Sequence, residues 1–147
     1  MDIVTVAARQ TAVSRGTATS WPDFHSKWKP LLDGVWAFLR HSDLRIDGHN
    51  VMVYRNNVPT LEFEVGVEVS GTFDAAGAVV PSQLPAGRAA HTLHTGDYSG
   101  LAAAHDSVVS WFRTTGHTTA GTRWEVYGDW DPDPSKLRTD VYWLLED

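Results

Sequence analysis

The 147-residue chain contains no cysteine, which excludes a disulfide framework and a zinc-thiolate site. It has no apolar run near the roughly 18 residues of a membrane span. Met1-Asp2-Ile3-Val4-Thr5 lacks the basic start and apolar core of a signal peptide. Basic clusters are missing too: 12 Lys and Arg are scattered among 18 Asp and Glu, for a formal charge of -6, whereas nucleic-acid binding calls for a basic patch. No glycine-rich phosphate loop or nucleophile elbow is present. A cytoplasmic protein is expected, with no membrane and no direct nucleic-acid partner.

Metal and cofactor sites are not expected either. His91 and His94 lie at i and i+3 on a strand and so point to opposite faces. The other histidines are isolated, and a zinc or iron site needs three or four converging ligands. The acidic loop Asp129–Asp133 lacks the Gly and Glu of an EF-hand and carries Pro instead.

What the chain does have is 42% hydrophobic residues and seven Trp, enough for one domain or two small modules sharing a core. Ile3–Ala8 is predicted as a strand. Ser20 with Asp23 resembles a capping box, Pro22 stands in the first turn, and Phe24, Trp28, Leu31, Val35 and Phe38 form one helical stripe. Pro30 should kink or divide that helix. After a turn at Asp47-Gly48-His49-Asn50 come strands Val51–Arg55 and Leu61–Val69, joined by a loop through Asn57, Val58 and Pro59. The stretch 71–87 is a connector rich in Gly, Ala, Pro and Ser, with room for a short strand near Ala78–Val80.

The pattern then restarts with strand Arg88–His94, a turn at Gly96–Gly100 and a helix carrying Leu101, Ala104, His105, Val108 and Phe112 on one face. Gly116 marks the helix end; strands Thr122–Tyr127 and Asp140–Glu146 follow. The expected fold is α+β: a single domain of two pseudo-repeated β-α-β-β modules (about 1–70 and 88–147) with antiparallel sheets, helices on one face and a ligand groove on the other.

Alternation in the strands separates two sets. Val51, Val53, Phe63, Val65, Val67, Trp124, Val126, Val141 and Trp143 are expected beneath the helices. Met52, Tyr54, Glu125, Tyr127, Tyr142 and Leu144 are expected opposite them, lining the groove. Glu125 occupies the place that Met52 has in the first module. A carboxylate on such a face is costly to desolvate unless paired, which makes it the first functional candidate. The plainer reading is a solvated acid, or one paired with Arg123 or Arg138.

Leu84-Pro85-Ala86-Gly87-Arg88 followed by Gly96-Asp97-Tyr98-Ser99-Gly100-Leu101 resembles the signature of the GyrI-like effector-binding domains. Glu64-Val65-Gly66-Val67, Trp124-Glu125-Val126-Tyr127 and Asp140-Val141-Tyr142-Trp143 are similar to that family's strands. Asp97 and Glu68 depart from its pattern, where Pro is frequent, at positions not expected in the groove. The resemblance implies a stand-alone member that binds lipophilic, often cationic drug-like compounds for sequestration or sensing. Glu125 would meet the charge, and Tyr142, Tyr127, Tyr54, Met52 and Leu144 would form the walls.

The alternative it implies is hydrolysis of cyclopropane-bearing genotoxic natural products, with Glu125 as general base. A weaker one is inhibition of a topoisomerase through a protein contact. With no helix-turn-helix region in front, the chain is not expected to bind DNA itself. A separate regulator or self-association is left open.

Overall fold

Two short covalent links decide the shape of this molecule. The computed structural model describes residues 1–56 and 60–146, and the backbone alone at Asp47. The chain runs β1 (Asp2–Val6), β2 (Arg9–Ala18), α1 (Trp21–Arg40), β3 (Arg45–Asn56), β4 (Leu61–Ser70), β5 (Val79–Leu84), β6 (Gly87–Thr95), α2 (Leu101–Thr115), β7 (Thr119–Tyr127) and β8 (Arg138–Leu145). The strands form one sheet in the order β1-β6-β8-β7-β3-β4-β2-β5, with every pairing antiparallel. The α+β class and the doubled pattern are as expected, as β2-α1-β3-β4 and β6-α2-β7-β8. The two halves meet at β3 and β7, where Met52 lies opposite Glu125 and Val51 opposite Val126.

Each half also borrows a strand. β1 leads into β2 yet pairs with β6, and β5 leads into β6 yet pairs with β2. Leu84 and Gly87 are three residues apart, a reach of about 11 Å. In a flat sheet the six spacings between β5 and β6 would separate them by about 29 Å. The same holds from Val6 to Arg9. The sheet therefore curls until its edges approach each other, and the inside of the curl is filled. Val51, Val53, Leu84, Ala89 and Trp124 are buried there, with Val4, Val6, Val126, Tyr142 and Leu144 packed against them. Trp124 stacks on Tyr142 with ring centroids 5.2 Å apart.

The helices cover the other face. Phe24, Leu32, Val35 and Leu39 of α1 pack on Ala12, Met52, Phe63, Val65 and Val67. Leu101 and Val108 of α2 pack on Ala90, Val141 and Leu145. Ser20 caps α1 by accepting from the Asp23 N–H at 3.2 Å, and Asp23 accepts from the Thr19 N–H at 3.0 Å. Pro30 does not divide α1, which continues to Arg40; Pro30 and Ser26 are both exposed, so the gap that the missing N–H leaves in the helix ladder is on its solvent side. At Gly116, φ is 78° and its N–H bonds Phe112 O, the left-handed stop that glycine permits.

Strand β2 was not expected, because Arg9-Gln10-Thr11-Ala12-Val13-Ser14 has no clear alternation of apolar and polar residues. It lies inside the sheet, and Thr11, Ala12, Val13 and Ser14 are all buried. The turn expected at 47–50 is a register irregularity within β3, between Ile46 and Asn50. The loop expected at Asn57-Val58-Pro59, and the last residue of the second module, Asp147, lie outside the described residues.

Register also corrects the face expected for the acid. Val65 pairs with Met52, and Val141 pairs with Glu125. The alternation along each strand holds, but β3 and β7 are one residue out of phase with the expected set, and a one-residue offset exchanges the faces. Met52, Tyr54, Glu125 and Tyr127 thus lie on the helix side, whereas Val51, Val53, Trp124 and Val126 join Tyr142 and Leu144 inside the curl.

Candidate functional site

The middle strands β3 and β7 run between the two helices, and Glu125 sits there on the helix-side face, only 2% exposed. Its Oε1 accepts from the hydroxyls of Tyr127, two residues along the same strand, and of Tyr54 at 3.4 Å from β3. Its Oε2 is 2.7 Å from Nε2 of His105 on α2. The Nε1–H of Trp143 donates to Nδ1 of the same imidazole at 2.9 Å. Indole nitrogen is only a donor, so Nδ1 must be an acceptor and the ring proton must be on Nε2. His105 is neutral in this arrangement and donates its Nε2–H to the carboxylate as a hydrogen bond.

Three donors from two strands and a helix therefore serve one carboxylate. Oε1 has both acceptor positions filled, and Oε2 keeps one open. Burial raises the tyrosine pKa values. For Tyr127 desolvation is the main cause, followed by the charge of Glu125. For Tyr54 desolvation again leads and Glu125 adds to it, while Arg123 opposes. Both phenols stay protonated and act as donors.

Arg123, two residues before Glu125, points to the same face. Its guanidinium lies 4.7 Å from the centroid of Tyr54 and 5.1 Å from that of Trp143, and the residue is 7% exposed. Burial lowers its pKa, while Tyr54 and Glu125 act in the opposite direction. Two more exposed rings stand over the tyrosines. Trp21, at the start of α1 and 51% exposed, meets Tyr54 edge-on at 6.1 Å. Tyr98, in the turn before α2 and 39% exposed, meets Tyr127 edge-on at 5.7 Å. Among the described residues no group of three His, Asp or Glu comes together as metal ligands would.

Of the residues expected at the site, the structure brings together Glu125, Tyr127, Tyr54 and Met52. It places Tyr142 and Leu144 on the other side of the sheet, with Tyr142 stacked on Trp124. His105 and Trp143 were not expected to join the acid; Arg123, considered as its ion-pair partner, lies instead over the rings of Tyr54 and Trp143. One signal for His105 was present in the sequence: a histidine on the apolar stripe of α2. No local pattern pairs it with Glu125, 20 residues away. Clefts of about 480 Å³ and 360 Å³ open elsewhere, the first beside Arg15, Arg55 and Glu64 and the second beside Phe73 and Pro81. The cluster around Glu125 is closed over by its own side chains.

Comparison with known proteins gives a consistent result. The family model described as GyrI-like small molecule binding domain matches residues 59–146. No curated protein matches the sequence. Among solved structures, the EcmrR C-terminal domain superposes with a TM-score of 0.83 at 16% identity, over 99% of this chain and 96% of that one. SAV2435 bound to tetraphenylphosphonium superposes with a TM-score of 0.73 at 14% identity, covering 99% and 93%. A hydrolase from Listeria innocua gives 0.58 at 11% identity, covering 99% and 91%. In the EcmrR–DNA complex this chain spans 57% of the EcmrR length, at 16% identity and a TM-score of 0.82. At these identities the likeness is one of fold.

Proposed function

The chain belongs to the family of GyrI-like small-molecule-binding domains, and we propose that its ligands are flat, lipophilic, drug-like compounds taken up between α1 and α2 over β3 and β7. Glu125 is the polar anchor, and Tyr54, Tyr127 and Met52 are the walls. The observation that carries this reading is a buried carboxylate whose donors are all neutral, held among aromatic rings. In a low-dielectric setting a positive or hydrogen-bonding ligand atom gains more from such an acceptor than it would in water. Trp21 and Tyr98 are the rings whose rotation opens the closed cluster.

SAV2435 holds tetraphenylphosphonium in the same fold, which supports lipophilic cations as the ligand class. Sequestration or sensing is the role this serves. The test is a titration of tetraphenylphosphonium and a panel of rhodamine-type dyes, following tryptophan fluorescence. Saturable quenching at micromolar strength is expected, and its absence across the panel overturns the reading.

The open acceptor position on Oε2 favours a second reading. A water bound there would lose its proton to Glu125 as its oxygen attacks a strained ring carbon. The ring C–C bond breaks, its electron pair goes to the ligand's conjugated carbonyl, and protonation there completes the addition of one water. Mass spectrometry of a cyclopropane-bearing compound incubated with the protein checks for the water adduct. Formation that persists in Glu125→Gln removes this reading.

A further inference from the structure

The position of Arg123 bears on which ligands the site selects, an inference that rests on the binding reading above. Organic cations are held in proteins over the faces of aromatic rings. Here that position is already taken. The Arg123 guanidinium lies over both Tyr54 and Trp143, and these are the two rings wired to Glu125, one directly and one through His105. The residue is 7% exposed, and among the described residues its guanidinium makes no hydrogen bond and no ion pair within 4 Å, although its nitrogens are not fully sealed from solvent. It is held by ring faces and by the nearby charge of Glu125 rather than by a directional bond.

We infer that Arg123 is the specificity-determining residue of this site: an internal cation that fills the Tyr54–Trp143 cage and must leave it before an organic cation can enter. Residues i and i+2 on a strand are about 6.7 Å apart, so the Arg123 charge offsets that of Glu125 for any ligand reaching both. A lipophilic cation then gains little over an anion of the same shape while the arginine is in place. The lack of a hydrogen bond makes its departure feasible. Departure costs the ring contacts and the attraction of Glu125 but no hydrogen bond, and the long side chain can carry its charge to solvent.

Tetraphenylphosphonium and tetraphenylborate, nearly identical in shape and opposite in charge, are the probes, titrated against the full chain and its Arg123→Gln variant. The unaltered protein is expected to bind the two ions within about tenfold of each other. Arg123→Gln is expected to move their ratio at least tenfold toward the cation. A ratio that moves less than about threefold overturns the inference. Because Gln in a buried position can unfold the protein, the unaltered chain carries a second readout. With isotope-labelled arginine, the Arg123 side-chain proton signals should be displaced by the ring currents of Tyr54 and Trp143. Saturating tetraphenylphosphonium should remove that displacement. Binding that leaves the Arg123 signals unmoved also overturns the inference. No saturable binding of either ion by either protein removes the binding reading, and this inference with it.

Discussion

Nε2 of His105 and Oε2 of Glu125 lie 2.7 Å apart, and Trp143 obliges that nitrogen to be the one carrying the proton. A helix that otherwise packs by apolar contacts is thereby tied to the middle of the sheet. Replacing His105 by Ala leaves both the Glu125 oxygen and the Trp143 indole N–H without this partner. A loss of about 1–3 kcal/mol for each orphaned group is expected, read as a lower urea midpoint together with a shift in tryptophan emission. An unchanged midpoint would show that the linkage contributes nothing to the fold.

Were Glu125 an unpaired buried charge, Glu125→Gln would leave stability unchanged or raise it. The structure reverses that sign. The carboxylate accepts three hydrogen bonds, and an amide has one oxygen and an NH₂ group that cannot accept. At least one of Tyr54, Tyr127 and His105 faces a donor. Destabilisation by about 1–3 kcal/mol is expected, measured by chemical denaturation.

In ligand binding the same variant should lose affinity for lipophilic cations roughly tenfold to hundredfold, and far less for neutral compounds of similar shape. Paired titrations decide this. Equal losses would make Glu125 a purely structural residue.

Tyr54 and Tyr127 are held protonated, chiefly by burial and then by the Glu125 charge. A raised pKa in the folded state means that the stability linked to these phenols is fully present below about pH 10, the ordinary tyrosine value. It is lost as pH rises through the folded values. An ultraviolet titration should show these two phenols ionising only as the protein unfolds. Ionisation of all four tyrosines near pH 10 with the fold intact would contradict their placement.

Glu64 titrates in the opposite sense. Burial would raise its pKa, but the Ser82 hydroxyl at 2.8 Å, the Arg55 charge and the bond from Arg15 at 3.1 Å outweigh it, and the net direction is down. Its contribution is therefore present above the ordinary glutamate value of about 4.3 and is lost as pH falls through the lower folded value. The stability gap between the unaltered protein and Glu64→Gln should narrow on acidification from about pH 6 to about pH 3. A constant gap would mean that the ion pairs with Arg15 and Arg55 do not favour the ionised form.

Gly66 allows β2 and β4 to approach closely. A Cβ there would lie 1.9 Å from the Ala12 carbonyl oxygen and 2.8 Å from Val13 Cα, and backbone atoms inside a sheet cannot yield cheaply. Gly66→Ala is expected to cost about 3 kcal/mol or more, appearing as poor soluble yield or a much reduced thermal midpoint. Near-normal stability would mean that the two strands separate easily.

Much of this architecture follows from local pattern. Ser20 and Asp23 mark the start of α1, the spacing of Leu101, Ala104 and Val108 marks the buried side of α2, and strict alternation marks β4. Glu125 stands out because an acid interrupts a strand of aromatic and branched residues. These features depend on residues within a few positions of each other, so they are legible in one dimension.

Tertiary structure decided the rest. Which face of β7 looks toward the helices depends on its register against β8, where Glu125 meets Val141; a slip of one residue exchanges the faces, and nothing inside either strand specifies the offset. The curl that hides Val51, Val53 and Trp124 comes from the two-residue links at Ala7-Ala8 and Pro85-Ala86 acting across the whole sheet. The contact of His105 with Glu125, and of Arg123 with Tyr54 and Trp143, exists because α2, β3, β7 and β8 converge. Each of those residues alone is ordinary in its own segment, and only packing in three dimensions makes them one site.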